Sequence, residues 1–362
     1  MKLDFYLREL ISFKTLSHDH QTNVLAFAWV KKQLEGLPLF FEDFESNGFP
    51  SLLITTRKTK TPHIWLQGHM DVVPGPEEVF TPRLVGSKLY GRGTFDMKFA
   101  IACYIQLLTD LGDKLREYDL GVMLTSDEEI GGANGVGILV QKGYHARSCL
   151  LPDGGENWVF QEGAKGIYQA SITAVGKAAH GARPWKGSNA IETLLTFLER
   201  VRKSFPTEPC GDKDHYHDTL TIGTIQGGTV TNQVPVEASA SLDIRYTPDT
   251  TESEILAILK KARQDDPNII IAEQAKGLSY RVDKQNQYFQ LFASLVTKHT
   301  DKKTAFLFSP GSSDARFFIN NNVPTILIRP TGANLHQDDE WIDVKDLEKF
   351  YIILREYIEE FK

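Results

Sequence analysis

The order of short apolar segments and helical patterns constrains the fold of this chain most. In the first half, apolar runs typical of buried strands occur at 50–56, 63–67, 120–126 and 148–152. The spacing of apolar residues predicts helices over 1–13, 97–111 and 135–142. Strands that alternate with helices in this way favour an α/β domain with a mostly parallel sheet.

The middle of the chain has a different order of elements. Strand patterns occur at 167–175, 219–226, 237–246 and 268–274, and helices are predicted at 188–204, with Ser188 as its N-cap, and at 251–263. The order βαββαβ predicts a ferredoxin-like inserted domain. The α/β pattern then resumes with helices at 287–299 and 314–320, a strand at 324–330 and a helix from 344. We therefore predict a discontinuous catalytic domain, 1–164 plus 276–362, interrupted by an inserted domain, 165–275.

Charge and cysteine content exclude several classes of protein. The 362 residues contain 40 Lys and Arg against 47 Asp and Glu, a net charge of −7, which disfavours nucleic acid as a partner. The charged first segment does not resemble a signal peptide, and no apolar run has the roughly 20 residues that a membrane span needs. Cys103, Cys149 and Cys210 are odd in number and widely spaced, so we expect no disulfide framework and a reducing, cytoplasmic location.

Residue types that bind metals recur beside the predicted strands. In an open α/β sheet, ligands bind at the carboxyl ends of the strands, so these side chains are expected to converge. The candidates are His69 and Asp71 after the second strand, Asp96 at a helix start, Asp127, Glu128 and Glu129 after the third strand, Asp153 after the fourth, and His336 after 324–330.

The chemistry of this set is coherent. Two imidazoles with several carboxylates and no thiolate suit a hydrolytic zinc site better than a structural one. A shared carboxylate could bridge two ions about 3.5–4 Å apart. Asp71 could orient the ring of His69, and Glu128 and Glu129 could divide the roles of general base and ligand.

Each of these residues also has a structural interpretation. Taken alone, an Asp or Glu is a solvated loop charge or a helix cap, Asp96 favours a helix N-terminus, and His69 is a buried core histidine. The segment 211–218, which contains His215 and His217, is predicted to be a solvated loop, as are His18 and His20. Asp314 is predicted to cap a helix. The sequence lacks GxxxxGK[ST] and GxSxG, which disfavours a nucleotide-dependent transferase and a serine hydrolase.

Taken in order, six segments resemble the motifs of the co-catalytic zinc peptidase and deacylase family. That family includes carboxypeptidase G, succinyl-diaminopimelate desuccinylase, acetylornithine deacetylase, aminoacylase, peptidase T, peptidase V and carnosinase. The segments are GHMDVVP, YGRGTFDMK, SDEEIGG, GKAAHGARPWKGSNAI, TNQVP with DIRY, and GANLHQDDEWI. The resemblance implies a zinc-peptidase catalytic domain and an inserted dimerisation or lid domain.

The resemblance also implies roles for individual residues and a cis peptide bond at Asp96–Met97. Two zinc ions, with Co²⁺ or Mn²⁺ as alternatives, would be held by five side chains, and further residues would act on water and substrate. The implied metal ligands are His69 and Asp153 for one ion, Glu129 and His336 for the other, and Asp96 as the bridge. The implied catalytic residues are Glu128 as general base, Asp71 to orient His69, and His180 to stabilise the oxyanion, in dimeric members across the dimer. The implied substrate contacts are Asn232, Arg245, Gly311, Ser312 and Ser313.

Two positions depart from the family pattern. Phe99 follows the DMK segment, where the family often has Gly. Asp153 stands where deacylases usually have Glu, whereas Asp is more usual in aminopeptidases and dipeptidases. We predict a homodimeric di-zinc hydrolase that cleaves an amide bond in a small peptide, as dipeptidases and aminopeptidases do, or in an N-acyl amino acid, and Asp153 favours the peptide. The alternatives are an N-acyl-amino-acid deacylase of the desuccinylase or deacetylase type, and a non-catalytic binding protein on the same fold.

Overall fold

A computed structural model describes residues 2–206, 216–309 and 311–362 of the chain. Its helices are α1 (Leu3–Ser12), α2 (His20–Gln33), α3 (Lys98–Leu111), α4 (Ile138–Gln141), α5 (Ala190–Arg202), α6 (Glu252–Arg263), α7 (Gln287–Thr300), α8 (Ala315–Ile319) and α9 (Val344–Glu359). Its strands are β1 (Phe40–Ser46), β2 (Phe49–Thr55), β3 (Ile64–His69), β4 (Arg83–Val85), β5 (Lys88–Tyr90), β6 (Leu120–Thr125), β7 (Ser148–Leu150), β8 (Phe160–Ala164), β9 (Gly166–Val175), β10 (Thr219–Gly227), β11 (Glu237–Tyr246), β12 (Ile269–Gly277), β13 (Tyr280–Arg281), β14 (Phe306–Ser309), β15 (Thr325–Ile326), β16 (Gly332–Ala333) and β17 (Trp341–Asp343).

The chain forms two compact units. The larger unit comprises Met1–Glu162, Val282–Ser309 and Ser313–Lys362, and the smaller unit comprises Gly163–Arg281 and Pro310–Ser312. The domain boundaries expected from sequence lie between residues 164 and 165 and between residues 275 and 276. They stay a prediction, because compact units need not coincide with independently folding domains.

A six-stranded sheet forms the centre of the larger unit, in the order β1-β2-β6-β3-β7-β15. The pairs β6–β3, β3–β7 and β7–β15 are parallel, whereas β1 and β2 add an antiparallel edge. Every residue of β3 and β6 is buried, as expected for strands that are covered on both faces. The predicted mixed α/β fold is therefore confirmed, and the four parallel strands β6, β3, β7 and β15 end at the same edge.

Helix α3 lies in the interior of the larger unit, which explains its nearly continuous apolar sequence. It packs against α1, α9 and β3, and 12 of its 14 residues are buried, including Lys98, whose pKa is lowered to about 7 by burial. The Lys98 Nζ donates to the main-chain oxygens of Leu10, at 2.9 Å, and Phe13, at 2.8 Å. These hydrogen bonds offset part of the cost of burying a charged group, and they tie α1 to the start of α3.

The smaller unit has the predicted element order β9-α5-β10-β11-α6-β12. Its antiparallel sheet has the spatial order β10-β11-β9-β12, which is the ferredoxin-like arrangement. Buried and partly exposed residues alternate along β9, because successive side chains point to opposite faces of a sheet. Helices α5 and α6 cover one face of this sheet. Side chains of both helices and of the sheet together form the core of this unit.

Several local predictions need correction. Helix α5 starts after Asn189, whose side chain accepts from the Ile191 N–H, so Ser188 is not the cap. His20 is the first residue of α2 rather than a loop residue. The strand expected at 324–330 is limited to Thr325–Ile326. Cys103 and Cys149 are free and buried, as predicted, whereas Cys210 lies outside the described residues.

Candidate metal centre

The five predicted metal ligands all lie in the larger unit, near one edge of the main sheet. His69 ends β3, Glu129 lies in the turn Glu128–Ile130 just after β6, and Asp153 follows β7. Asp96 precedes α3, and His336 lies between β16 and β17. Because β3, β6 and β7 are parallel, their carboxyl ends bring side chains that are distant in sequence together.

Asp96 lies between the two histidines. Its Oδ1 is 3.2 Å from Nε2 of His69, and its Oδ2 is 3.3 Å from Nε2 of His336. Two groups of three residues therefore share this carboxylate, and within each group the ligand atoms lie within 4.8 Å of one another. We call the group of His69, Asp96 and Asp153 the inner subsite, since all three are buried, and the group of Asp96, Glu129 and His336 the outer subsite.

These donors fit two divalent ions. Each subsite offers one imidazole nitrogen and two carboxylates, and it contains no thiolate, as in hydrolytic zinc sites. His336 also bonds to Glu129, with Nε2 and Oε2 3.2 Å apart. The hydrogen bonds of His336 with Asp96 and Glu129 raise its pKa to about 10, so in the metal-free protein this ring carries a proton where an ion would bind.

The second nitrogen of His69 faces the main chain. Its Nδ1 is 2.9 Å from the main-chain oxygen of Asp71 and 3.5 Å from that residue's carboxylate. The Asp71 carboxylate instead accepts the Ser17 hydroxyl at 2.7 Å and the backbone N–H groups of Glu128, at 3.3 Å, and Glu129, at 3.1 Å. Asp71 therefore positions the turn that carries the two glutamates as well as the histidine ring.

Glu128 lies beside the inner subsite, with Oε2 4.0 Å from Nε2 of His69. Burial, together with the negative charge of Asp153, raises the pKa of Glu128 well above its usual value. A carboxyl group with a raised pKa holds a proton more readily near neutral pH, which is a property of a general acid or base.

A buried carboxylate that the sequence analysis missed supports the loop of Asp96. Glu340 accepts hydrogen bonds from the backbone N–H groups of Gly93, Phe95 and Asp96, at 2.9, 2.8 and 3.1 Å. Its Oε2 is 3.3 Å from Nη1 of the buried Arg92. The Asp96–Met97 peptide bond that follows is cis, as the resemblance predicts. Glu340 is the last acidic residue of the GANLHQDDEWI segment, and its place in that segment is the feature of the sequence that could have identified it as a functional candidate.

Arg329 is a second functional candidate that the sequence analysis missed. Its Nη2 is 2.5 Å from Oδ1 of Asp153 and 3.1 Å from Oδ1 of Asp96, and its side chain is 8% exposed. Burial alone would lower the pKa of Arg329, but the charges of Asp96 and Asp153 raise it. The inner subsite therefore contains a permanent positive charge.

Asp314 does not cap α8. Its side chain makes no capping hydrogen bond, and within the described residues neither carboxylate oxygen has a partner. The chain bends around it at Gly132, where φ is +60° and an added Cβ would lie 1.8 Å from Asp314 Oδ1. Burial raises the pKa of Asp314. The preceding residue, Ser313, is buried, and its Oγ accepts the Ala315 N–H at 3.4 Å.

The other predicted site residues, except Ser313, belong to the smaller unit. His180 pairs with Gln233 in an isolated bridge, and the Gly181 N–H donates to the main-chain oxygen of Asn232 at 2.7 Å, so His180 and Asn232 are neighbours. Arg245 donates to both carboxylate oxygens of Asp243, at 2.7 and 3.1 Å. Gly311 and Ser312 also lie in this unit.

The remaining histidine predictions have separate outcomes. His18 lies in a turn before α2, with its ring 5.6 Å from that of Phe49. His20 pairs with Glu45, with Nε2 and Oε2 3.0 Å apart. Most of the segment 211–218, including His215, lies outside the described residues.

Comparisons with known proteins identify the family to which the chain belongs. A model of the family described as peptidase family M20/M25/M40 matches residues 65–360. A succinyl-diaminopimelate desuccinylase of Beijerinckia indica subsp. indica is 26% identical over 328 residues, which cover 84% of each chain.

Solved structures show the same fold. Aminopeptidase PepT of Bacillus cereus matches with a TM-score of 0.76 at 19% identity, over 99% of this chain and 98% of that one. The Bacillus subtilis YXEP protein, described as a dinuclear metal-binding peptidase, matches with a TM-score of 0.70 at 14% identity, over 99% and 98%.

The chain belongs to peptidase family M20/M25/M40. It is a metal-dependent hydrolase of the metallopeptidase and amidohydrolase class, and cleavage of an amide bond in a peptide or an N-acyl amino acid fits the relatives it resembles. Among the described residues, no helix has the length and apolar character needed to span a membrane.

Proposed function

We propose that this protein is a two-metal hydrolase of small peptides, with zinc as the metal and Co²⁺ or Mn²⁺ as alternatives. The observation that carries the proposal is the position of Asp96, whose two carboxylate oxygens lie 3.2 and 3.3 Å from the Nε2 atoms of His69 and His336. A carboxylate shared by two ligand groups is the arrangement that holds two ions about 3.5–4 Å apart.

The proposed ligands follow the two subsites. His69 and Asp153 complete the inner subsite, Glu129 and His336 complete the outer subsite, and Asp96 serves both. When bound, a pair of divalent ions polarises the scissile carbonyl and acidifies water. Closely spaced buried carboxylates suit such ions, because a bound cation compensates their negative charge.

Glu128 is the proposed general base. It adjoins His69 without bonding to it, and its neighbour Glu129 turns instead toward His336. Glu128 would accept a proton from the attacking water and deliver it to the leaving amine. Asp71 would keep both glutamates in place through its bonds to their backbone N–H groups.

Residues of the smaller unit, and Ser313 of the larger unit, would bind the substrate. His180 is proposed to stabilise the oxyanion, and Asn232, Gly311, Ser312 and Ser313 to contact the substrate. Arg245 suits a substrate carboxylate, because a guanidinium binds a carboxylate through two parallel hydrogen bonds. Asp243 now holds it in that geometry, so a substrate carboxylate would have to replace or share this partner.

The substrate proposal rests on Asp153. Aspartate at this ligand position is more usual in the aminopeptidase and dipeptidase members of the family, whereas deacylases usually have glutamate. The second candidate function is removal of an N-acyl group from an amino acid, and it is favoured by the relative named succinyl-diaminopimelate desuccinylase.

A substrate panel separates the two functions. Metal-reconstituted protein would be assayed with dipeptides, tripeptides, N-acetyl and N-succinyl amino acids, with Glu128→Gln as the inactive control. Cleavage of peptides with a free amino terminus, and not of acyl derivatives, supports the peptidase. The reverse preference supports the deacylase, and no turnover of either class contradicts the proposed function.

We also propose a homodimer formed through the smaller unit. Strands β10 and β12 are the edges of its sheet, and they expose Ile225 and Ile270. Exposed apolar edge strands are usually covered by another element or chain. Light scattering at assay concentration is expected to give twice the chain mass of 40.8 kDa, and the monomer mass would contradict the proposal.

A cytoplasmic location is proposed on the free thiols. Cys103 and Cys149 are buried without a disulfide partner, as is usual for proteins of a reducing compartment. Fractionation of the source cells tests this location directly.

A further inference from the structure

Arg329 distinguishes the two metal subsites. Its guanidinium binds two of the three inner ligands, with Nη2 2.5 Å from Oδ1 of Asp153 and 3.1 Å from Oδ1 of Asp96. Nη1 lies 3.4 Å from the main-chain oxygen of Gly155, and the guanidinium carbon is 5.5 Å from the centre of the Phe95 ring. These contacts fix the cation beside the inner subsite.

The two ligands that belong to the outer subsite alone, Glu129 and His336, differ from the inner ligands. In the part of the chain that the structure describes, they pair with each other, and neither forms an ion pair with a lysine or arginine. The His336 side chain is 52% exposed, whereas that of His69 is 1% exposed. A metal ion can therefore reach the outer subsite from solvent, and it meets no guanidinium or ammonium group bound to Glu129 or His336.

We propose that Arg329 makes the inner subsite the weaker of two unequal metal sites. This inference rests on the proposed two-metal function. The guanidinium occupies lone pairs on Oδ1 of Asp96 and Oδ1 of Asp153, and both residues are ligands that an inner ion would use. An ion must therefore displace the arginine or bind beside its positive charge, and in a buried site water screens that repulsion only weakly.

The two ions would consequently load in order. The outer subsite fills first, because His336 is exposed and Glu129 is not bound by an arginine. The inner subsite fills only at a higher metal concentration. At limiting metal the protein holds one outer ion, and Arg329 supplies the positive charge of the inner subsite. Arg329 is thus a positioning residue, which acts through Asp96 and Asp153. It determines whether the protein holds one metal ion or two at a given metal concentration.

Zinc titration of the metal-free protein against a chromophoric chelator tests this proposal. Wild type is expected to show two classes of binding, whose dissociation constants differ by at least about tenfold, or 1.4 kcal/mol. Arg329→Gln, which removes the charge and retains a hydrogen-bond donor, should tighten the weaker class at least about tenfold and should change the tighter class much less, because the outer subsite shares only Asp96 with Arg329. Arg329→Lys retains the charge and should resemble wild type.

Further variants assign the classes and control for folding. His336→Ala should retain only the weaker class, and Asp153→Asn only the tighter one. Arg200→Gln removes an arginine of the smaller unit that donates to the Ala262 main-chain oxygen, and should bind zinc as wild type does. Arg329→Met, compared by circular dichroism, serves if the glutamine variant does not fold.

The outcomes separate this inference from the proposed function. Two classes of equal affinity in wild type, or an unchanged or weakened inner class when the charge of Arg329 is removed, would overturn the inference alone. Wild type that binds no zinc at micromolar concentration would contradict the proposed two-metal function itself.

Discussion

Replacement of Glu340 by glutamine should destabilise the loop that carries Asp96. The carboxylate accepts two backbone N–H groups at Oε1, those of Phe95 and Asp96, and at Oε2 it accepts the Gly93 N–H and faces Arg92. A glutamine has a single acceptor oxygen, so whichever way its amide turns, donors on one side lose their acceptor. Burial raises the pKa of Glu340, and the N–H groups of Phe95 and Gly93 oppose that rise.

The magnitude follows from the contacts that are lost. A buried donor without an acceptor costs about 1–3 kcal/mol, and removal of one partner of a buried ion pair costs about 3–5 kcal/mol. Since these losses overlap, we expect the free energy of unfolding of the metal-free protein to fall by about 3–5 kcal/mol in Glu340→Gln. Zinc affinity should fall at both subsites, because Asp96 serves both.

Urea denaturation followed by circular dichroism, in the presence of a chelator, measures this change. The midpoint should decrease while the dependence on urea concentration stays constant. Glu9→Gln changes an exposed glutamate and should shift stability by no more than about 0.5 kcal/mol. A loss below about 1 kcal/mol for Glu340→Gln would refute the claim that this carboxylate holds the loop.

Three further predictions concern the glutamate pair, proton release and a helix cap. Glu128→Gln should lower kcat at least about 100-fold and retain its metal, whereas Glu129→Gln should lose metal. Metal analysis and kinetics of both variants measure these effects, and the opposite pattern would mean that Glu129 is the general base and Glu128 the ligand. Zinc binding at pH 7 should release protons, since the pKa of His336 is about 10 in the metal-free protein; calorimetry in buffers of different ionisation enthalpy measures the release, and none would contradict the ligand assignment. Asp19 is the N-cap of α2, and its carboxylate accepts the Thr22 backbone N–H at 3.0 Å, which lowers the pKa of Asp19. The capping contribution to stability is therefore present above the unfolded pKa of about 4 and is lost as the pH falls through the lower folded value. Asp19→Asn should lose less stability than wild type between about pH 5 and 3 in urea denaturation, and equal losses would contradict the shift.

The sequence predicts the larger elements well because their signals are local. The apolar run of β6 and the alternation along β9 are periodicities within one segment, and the structure confirms both. Helix α2 was missed although its buried residues, which include Ala26, Phe27 and Val30, have helical spacing. Edge strand β1 was missed because its residues are mostly exposed, so no apolar pattern marks it.

The candidate site divides in a similar way. His69, Glu129 and Asp153 follow from residue type and from the rule that parallel strands end at one edge. Arg329 does not, because its partners Asp96 and Asp153 lie 233 and 176 residues away in sequence.

Glu340 and Asp314 illustrate the same limit. Glu340 reaches backbone N–H groups 244 to 247 residues away. Asp314 has a local interpretation as a helix cap, which its burial beside Gly132 overrides. Local patterns thus identify residues that can bind a metal, whereas long-range packing determines which other charged side chains contact those residues.

Anomalous diffraction from zinc-soaked crystals can show whether Asp96 bridges two metal ions. We expect two anomalous peaks about 3.5–4 Å apart, on either side of the Asp96 carboxylate, with ligand distances of about 2.0–2.3 Å. His69 and Asp153 should bind one ion and Glu129 and His336 the other, and at low zinc the outer peak should be the stronger. Absence of zinc density beside Asp96 at saturating zinc, or ions bound without it, would contradict the account.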